Sequence, residues 1–142
     1  MAVYSVRQDM IDRFGEAEIR QLTDRRDPPA GSIDDTVLTE ALEDADGLID
    51  SYLAGRYTLP LADVPKILKR YACDIARFYL YRDNAGDAVK AAYEAAEGFL
   101  KAVAAGKASL GLDSANAPVQ VAGGGVSFNE SRRTFGGDRE YG

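Results

Sequence analysis

Apolar residues return at three- and four-residue steps along most of the first 112 residues, the spacing that aligns one face of a helix. The strongest case is the stretch 32–61, where Val37, Leu38, Ala41, Leu42, Ala45, Leu48, Ile49, Tyr52 and Leu53 share the period. Ser32 or Asp34 suits its start, because a short side-chain oxygen accepts from the free N–H groups of the first turn. Gly55 is placed to end it in a left-handed conformation, and Pro60 forbids an easy restart. Earlier, Ser5 and Gln8 form a capping box that opens a helix with Val6, Met10, Ile11 and Phe14 facing inward, and Gly15 ends it. A second short helix, about residues 16–23, presents Ile19 and Leu22. The run Asp24-Arg25-Arg26-Asp27-Pro28-Pro29-Ala30-Gly31 is a loop, since two prolines and a glycine cannot continue a helix.

Beyond the long helix, Pro65 fits the first turn of another, roughly residues 64–82, where its missing N–H costs nothing. Ile67, Leu68, Tyr71, Ala72, Ile75, Phe78, Tyr79 and Leu80 form its apolar period. A break at residues 84–87, with Asp87 as a cap, leads to a helix over 87–105 with Val89, Ala92, Tyr93, Ala96, Phe99, Leu100 and Val103 as its stripe. Gly98 within it marks either close packing or an ordinary exposed site, and Gly106 ends it. After Leu112 the helical period stops, and two short β-prone runs flank Ala122-Gly123-Gly124-Gly125 as in a small hairpin. The last residues are polar and Gly-rich with isolated aromatics, and are expected to order only against a partner. The expected fold is all-α, an antiparallel bundle of four to five helices over 1–112, with an extended arm or small β-hairpin over 113–142.

Charge divides this pattern unevenly. The long helix carries Asp34, Asp35, Glu40, Glu43, Asp44, Asp46 and Asp50 with no Lys or Arg between Ser32 and Gly55, so an acidic face backs its apolar one. The helix over 64–82 carries Lys66, Lys69, Arg70, Arg77 and Arg82 against Asp74 alone, so it is the basic counterpart. These two can pair within a chain or between chains. The whole chain has 142 residues, enough for one domain, and a net charge of −6, which opposes binding driven by phosphate neutralisation. A 46% apolar content supports a core, and the absence of Trp with abundant Ala makes that core thin. One cysteine, Cys73, excludes an internal disulfide and favours a cytosolic life over export. No apolar run reaches membrane-span length, and the first ten residues lack the basic-then-apolar order of a signal peptide.

Candidate chemistry is sparse. With no histidine, the commonest general base and metal ligand are both missing. Cys73 lies inside an apolar period and reads as a core thiol. The acids of the long helix read as a solvated or partner-facing surface rather than a paired-carboxylate site. The loop from Asp24 to Asp35 has the aspartates of a calcium loop, but positions alternating back from Gly31 fall on Arg26, Pro28 and Ala30. Gly123-Gly124-Gly125 lacks the Lys-Ser/Thr ending of a phosphate loop. No catalytic residue, cofactor or metal is expected.

Several runs carry a resemblance. They are Gln8-Asp9-Met10-Ile11-Asp12-Arg13-Phe14-Gly15, Gln21-Leu22-Thr23-Asp24, the block Ile49-Asp50-Ser51-Tyr52-Leu53-Ala54-Gly55-Arg56-Tyr57-Thr58-Leu59-Pro60-Leu61, and Ala105-Gly106-Lys107-Ala108-Ser109-Leu110-Gly111-Leu112. With Val64-Pro65 and the stretch around Ala72-Cys73-Asp74 they resemble a phage Mu-like prophage family over about residues 5–112. Relatives often carry an aspartate- and glycine-rich loop after Leu-Thr-Asp, which Arg25-Arg26-Asp27-Pro28-Pro29 replaces here. The family is similar to the head–tail connectors, or adaptors, of long-tailed phages. The resemblance implies a structural virion protein, assembled in the host cytoplasm, that forms a ring of about a dozen copies beneath the portal. Its implied partners are itself, the portal, the next neck or tail-completion protein, and DNA passing without specific binding. The surface expected to meet another copy or the channel comprises Glu40, Glu43, Asp50, Lys66, Lys69 and Arg70, and the arm is expected to dock through Phe128, Phe135 and Tyr141. The alternative is a small helical DNA-binding or regulatory protein of a prophage.

Overall fold

The periodic stretches condense into five α-helices in the computed structural model, which describes residues 3–112. They are α1 (Arg7–Phe14), α2 (Glu16–Thr23), α3 (Asp35–Leu53), α4 (Lys66–Tyr81) and α5 (Asp87–Ala104). A single 3₁₀ turn, Arg82–Asn84, joins the last two. Among the described residues the fold is an all-α bundle without a strand. The hairpin expected at 119–128 and the arm of 113–142 lie outside the described residues.

The core forms where the three long apolar stripes meet. Leu38, Ala41, Leu42, Ala45, Ile49 and Leu53 of α3 are buried, as are Leu68, Ala72, Cys73, Ile75, Ala76 and Leu80 of α4. Val89, Ala96, Leu100 and Val103 close the core from α5. α4 is the central element, packed against α1, α2, α3 and α5. Tyr71 meets Phe99 and Phe78 stacks on Tyr93 with ring centroids 4.1 Å apart, so α4 and α5 run in opposite directions. Val37 and Ala41 of α3 share a cavity with Tyr79 and Leu80 of α4, so these helices are antiparallel too.

The helix ends follow the expected chemistry in part. Asp34 caps α3, its carboxylate accepting from Thr36 N–H at 3.0 Å and Val37 N–H at 3.4 Å. Pro65 stands at the start of α4, and Gly106, at φ 79°, ends α5 while Lys107 N–H donates to Ala102 O at 2.8 Å. Gly98 is exposed, with open space where a Cβ would sit, so it does not mark close packing.

Two local expectations are corrected. Gly55 does not adopt a left-handed conformation. Instead Arg56 and Tyr57 N–H both donate to Leu53 O at 2.9 Å, a right-handed closure that turns Tyr57 back toward the C-terminal end of α5. Ser5 does not cap α1: the cap position is Val6, whose N–H donates to Asp9 Oδ2 at 2.9 Å. Val6 is accordingly 49% exposed rather than inward, because Tyr4 and Ser5 take the buried places.

A charged clasp centred on Arg77 and Glu18 fixes the outer helices. Arg77 Nε and Nη2 donate to the two carboxylate oxygens of Glu18 at 2.7 and 3.2 Å, tying α4 to α2, while its guanidinium lies 4.4 Å from the Phe14 ring centroid of α1. The Tyr81 hydroxyl donates to the same Glu18 at 2.9 Å. A fork of this kind, half-shielded from water, is stronger than a surface pair. Arg77→Ala is expected to destabilise the fold by about 1–3 kcal/mol, because it leaves Glu18 half-buried without its fork. Lys101→Ala, which removes an exposed pair with Glu97 at 4.0 Å, is expected to cost under about 0.5 kcal/mol. Urea unfolding of the two variants checks the difference.

Candidate interaction surface

The seven acids of the long stretch do not form one face. Asp34 is spent on the helix cap, and Asp35 accepts from Arg7 Nε at 2.8 Å. Asp46 is only 6% exposed and lies on the core side, which corrects its placement on the acidic face. Its carboxylate accepts from Val3 N–H at 2.6 Å and Tyr4 N–H at 3.2 Å. One turn on, Asp50 is half-buried and accepts from the Tyr4 hydroxyl. A chain segment ahead of α1 is thereby clasped to α3 by two carboxylates, with the Tyr4 ring 2% exposed beneath them. Glu40, Glu43 and Asp44 are exposed on α3, as is Asp35.

The period itself carried a signal for this clasp. Asp46 stands four residues after Leu42 and three before Ile49, in the middle of the buried stripe. A carboxylate there needs donors, and residues 3–4 supply them with backbone N–H groups. Asp74 is the parallel case on α4, buried between Cys73 and Ile75. Burial raises its carboxyl above the ordinary range, while Arg13, Arg70 and Arg77 oppose that rise. Cys73 is fully buried, and burial pushes its thiol up to about 11, which removes it as a nucleophile at neutral pH. The Ser5 hydroxyl lies against that thiol and makes no hydrogen bond of normal geometry.

The basic helix is likewise divided. Arg77 is held by Glu18, and Lys69 Nζ lies 3.6 Å from Asp9 of α1. Lys66 and Arg70, at the first turns of α4, are exposed and form no ion pair among the described residues. No ion pair described joins α3 to α4; the acidic and basic helices meet through their apolar faces instead. The exposed acids sit beside the C-terminal end of α4 and the exposed cations at its N-terminal end. Thirteen residues separate Lys66 from Tyr79, so the two patches lie about 20 Å apart along the bundle at 1.5 Å per residue.

The tightest agreement between sequence and geometry is at the α5 end. The Tyr57 hydroxyl accepts from Leu110 N–H at 3.2 Å, and the Arg56 guanidinium lies over Gly106, 3.0 Å from where a Cβ would project. Leu61, Leu110 and Leu112 are buried there. The block 49–61 and the run 105–112, both among those that carry the resemblance, thus pack on each other. The opposite end carries a groove that no residue pattern announced. A cavity of about 390 Å³ is lined by Gln21, Leu22, Arg25, Leu80, Tyr81, Arg82 and Asn84. A smaller one of about 100 Å³ shares Arg25, Leu80 and Arg82 and adds Val37, Glu40, Ala41, Asp44 and Tyr79. Arg25 Nη2 donates to Leu80 O at 3.0 Å and so satisfies a free carbonyl at the end of α4.

The loop after α2 is closed from within. Asp24 accepts from Gly31 N–H at 2.7 Å, Ala30 N–H at 3.2 Å and Arg26 Nε at 2.8 Å. Burial alone would raise its carboxyl, but these donors outweigh that and hold it below the ordinary value. The side chain that a calcium loop would need is therefore engaged by its own backbone. No three acidic or cysteine side chains converge as a metal site among the described residues. None of the described helices is long and apolar enough to cross a membrane.

The described residues thus form an all-helical domain with divided charged patches and a groove at one end. The chain belongs to the family described as Bacteriophage Mu, Gp36, whose sequence pattern matches residues 4–128. The match runs past Leu112, so part of the arm is shared with the family, beyond the limit the residue runs suggested. The chain is 40% identical over 126 residues to the Mu-like prophage FluMu protein gp36 of Haemophilus influenzae (strain ATCC 51907 / DSM 11121 / KW20 / Rd), covering 89% of this chain and 88% of that one. It is 37% identical over 114 residues to Gene product J of Escherichia phage Mu, covering 80% of each.

Asp46 gives a pH prediction. Burial, the largest influence, raises its carboxyl above 3.8 despite the N–H groups of Val3 and Tyr4, and Asp50 adds to the rise. The folded chain then holds this proton more tightly than the unfolded one, so the Asp46 contribution to stability falls as pH rises from 3.8 through the raised value. Asp46→Asn cannot titrate. It is expected to gain stability relative to the parent over that window and then to hold a constant difference, as urea unfolding at a series of pH values will show.

Proposed function

We propose that the chain is a structural virion protein, a head–tail connector whose copies form a ring of about a dozen beneath the portal and join head to tail or neck during assembly. The observation that carries this reading is the separation of exposed charge. Glu40 and Asp44 stand at one end of the α3–α4 pair, and Lys66 and Arg70 at the other, with no ion pair described for any of them. Opposite patches on different surfaces of one subunit suit a heterologous, head-to-tail contact, and such contacts close into rings when the rotation permits. Membership in the Mu Gp36 family supports a phage setting.

The same charges suit a passage for DNA. Acids on the exposed side of α3 repel phosphate, so a wall bearing them would let a genome pass without holding it. A net charge of −6 acts in the same sense. Of the acids expected on this surface, Asp50 is engaged by Tyr4, which leaves the exposed Glu40 and Glu43 with Asp44 to form it. Lys69 is drawn toward Asp9, which leaves Lys66 and Arg70 as the cationic partners.

Sedimentation of the full chain, alone and with the portal of the same phage, tests the reading. A discrete oligomer is expected with the portal, and Lys66→Glu with Arg70→Glu is expected to abolish it while leaving the helical spectrum unchanged. A chain that stays monomeric with the portal, and that binds duplex DNA in a low-salt anisotropy titration, would replace this reading with the DNA-binding alternative.

A further inference from the structure

Each end of α4 carries a charge opposite in sign to its neighbours. At the N-terminal end Lys66 and Arg70 are exposed, and Asp63 stands exposed just ahead of them. At the C-terminal end Arg82 lines one cavity with Glu40 and Asp44. None of these six side chains forms an ion pair among the described residues. Arg25, the second cation of that cavity, is turned to the Leu22 and Leu80 carbonyls, which leaves Arg82 as its cation without a partner. The N-terminal end also runs against the helix dipole. α4 has no acid in its first turn, where the dipole favours one, and carries Lys66, Lys69 and Arg70 in its first five residues instead. That arrangement is unfavourable in a lone chain and is offset when an anionic surface covers it.

We propose that Asp63 of one copy pairs with Arg82 of the next, and that this pair fixes the register of the head-to-tail contact. The inference rests on the ring reading above and adds to it the residues that orient neighbouring copies. A contact that sets Lys66 and Arg70 on Glu40 and Asp44 also brings in Arg82, which lines the same cavity as those acids, and Asp63, three residues before Lys66. Unless these two meet each other, each faces its own sign, and like charges in contact oppose association. The signs are complementary: one anion with two cations on one surface, one unpartnered cation with two anions on the other.

The pair can form only between copies. Asp63 and Arg82 stand beyond opposite ends of α4, whose 16 residues span about 24 Å. A single chain cannot close that distance without breaking the helix at the centre of its core. The contact is therefore heterologous, with its two halves on different surfaces of one subunit. The backbone at Arg82 points the same way. It holds φ 58°, ψ −125°, which glycine adopts freely and a residue with a Cβ rarely does. A guanidinium stands where glycine would suit the backbone better, and local strain of this kind clusters at functional surfaces.

Sedimentation of the full chain with the portal of the same phage tests the pair. Arg82→Glu and Asp63→Arg are each expected to raise the concentration needed for the oligomer at least about tenfold, as like-charge contacts do. Both changes in one chain are expected to bring it back to within about threefold of the parent, which damage to the fold would not do. Arg82→Gly separates contact from fold: it is expected to raise the urea midpoint, because the backbone is relieved, and yet to weaken assembly. A contact held by patch charge alone gives the opposite result, since each single reversal makes its patch more uniform. Stronger assembly by Arg82→Glu or Asp63→Arg therefore overturns the pair. So does parent-like assembly by either of them or by Arg82→Gly, or a double change that fails to recover. If any of these occurs while reversal of Lys66 and Arg70 still abolishes the oligomer, the pair falls and the ring reading stands. If the parent forms no oligomer with the portal, the ring reading falls and takes the pair with it.

Discussion

The apolar seam between α3 and α4 is the constraint on which the other contacts depend. Each helix offers alternating large and small residues, Leu38, Leu42, Ile49 and Leu53 with Ala41 and Ala45 on one side, Leu68, Ile75 and Leu80 with Ala72 and Ala76 on the other. Small residues on facing helices leave room for the large ones of the partner, and both kinds are buried here. Each fully buried Leu or Ile contributes about 1.5–3 kcal/mol relative to exposure, which makes this seam the main source of stability. α5 then covers one side of it, and α1 and α2 meet α4 on its remaining surface.

Polar groups act at the edges of that seam, and mostly to fix position. Glu18 gathers Arg77 and Tyr81, so α2 has one register against α4. Asp46 and Asp50 gather the backbone and ring of Tyr4, so the segment before α1 has one place on α3. Arg25 satisfies the end of α4, and Tyr57 holds the backbone after α5. In each case a side chain from one element completes hydrogen bonds left open on another, which a buried polar atom requires. The consequence for function is subtraction. Several charges that look available in the sequence are engaged in building the bundle, Asp34, Asp46, Asp50, Glu18 and Arg77 among them.

Those remaining charges also separate the two ends of the molecule. The end formed by Arg56, Tyr57, Gly106 and Leu110 is built from two of the runs that carry the family resemblance, and these runs contact each other. The end with Arg82, Glu40 and Asp44 is open, charged and grooved. One end closes on itself through Tyr57 and Leu110; the other presents exposed charge around a groove.

Periodicity determined the helices, because burial of one face imposes a 3.6-residue repeat that survives in any sequence that folds this way. It located α1 to α5 within a few residues, identified Cys73 as core, and marked Gly15 and Gly106 as stops, since each must take a positive φ. It also held, unread, the position of Asp46 inside the buried stripe. Tertiary structure alone decided how Asp46 is satisfied, because its donors lie forty-two and forty-three residues away on a segment with no period of its own. It decided as well that Ser5 turns inward rather than capping α1, and that Gly55 remains right-handed, since both follow from where Tyr4 and Tyr57 find burial. The groove belongs to the same category. Glu40 stood out as a surface acid and Arg82 as part of the basic helix, but only the antiparallel packing of α3 on α4 beside α2 brings them to one surface with Arg25.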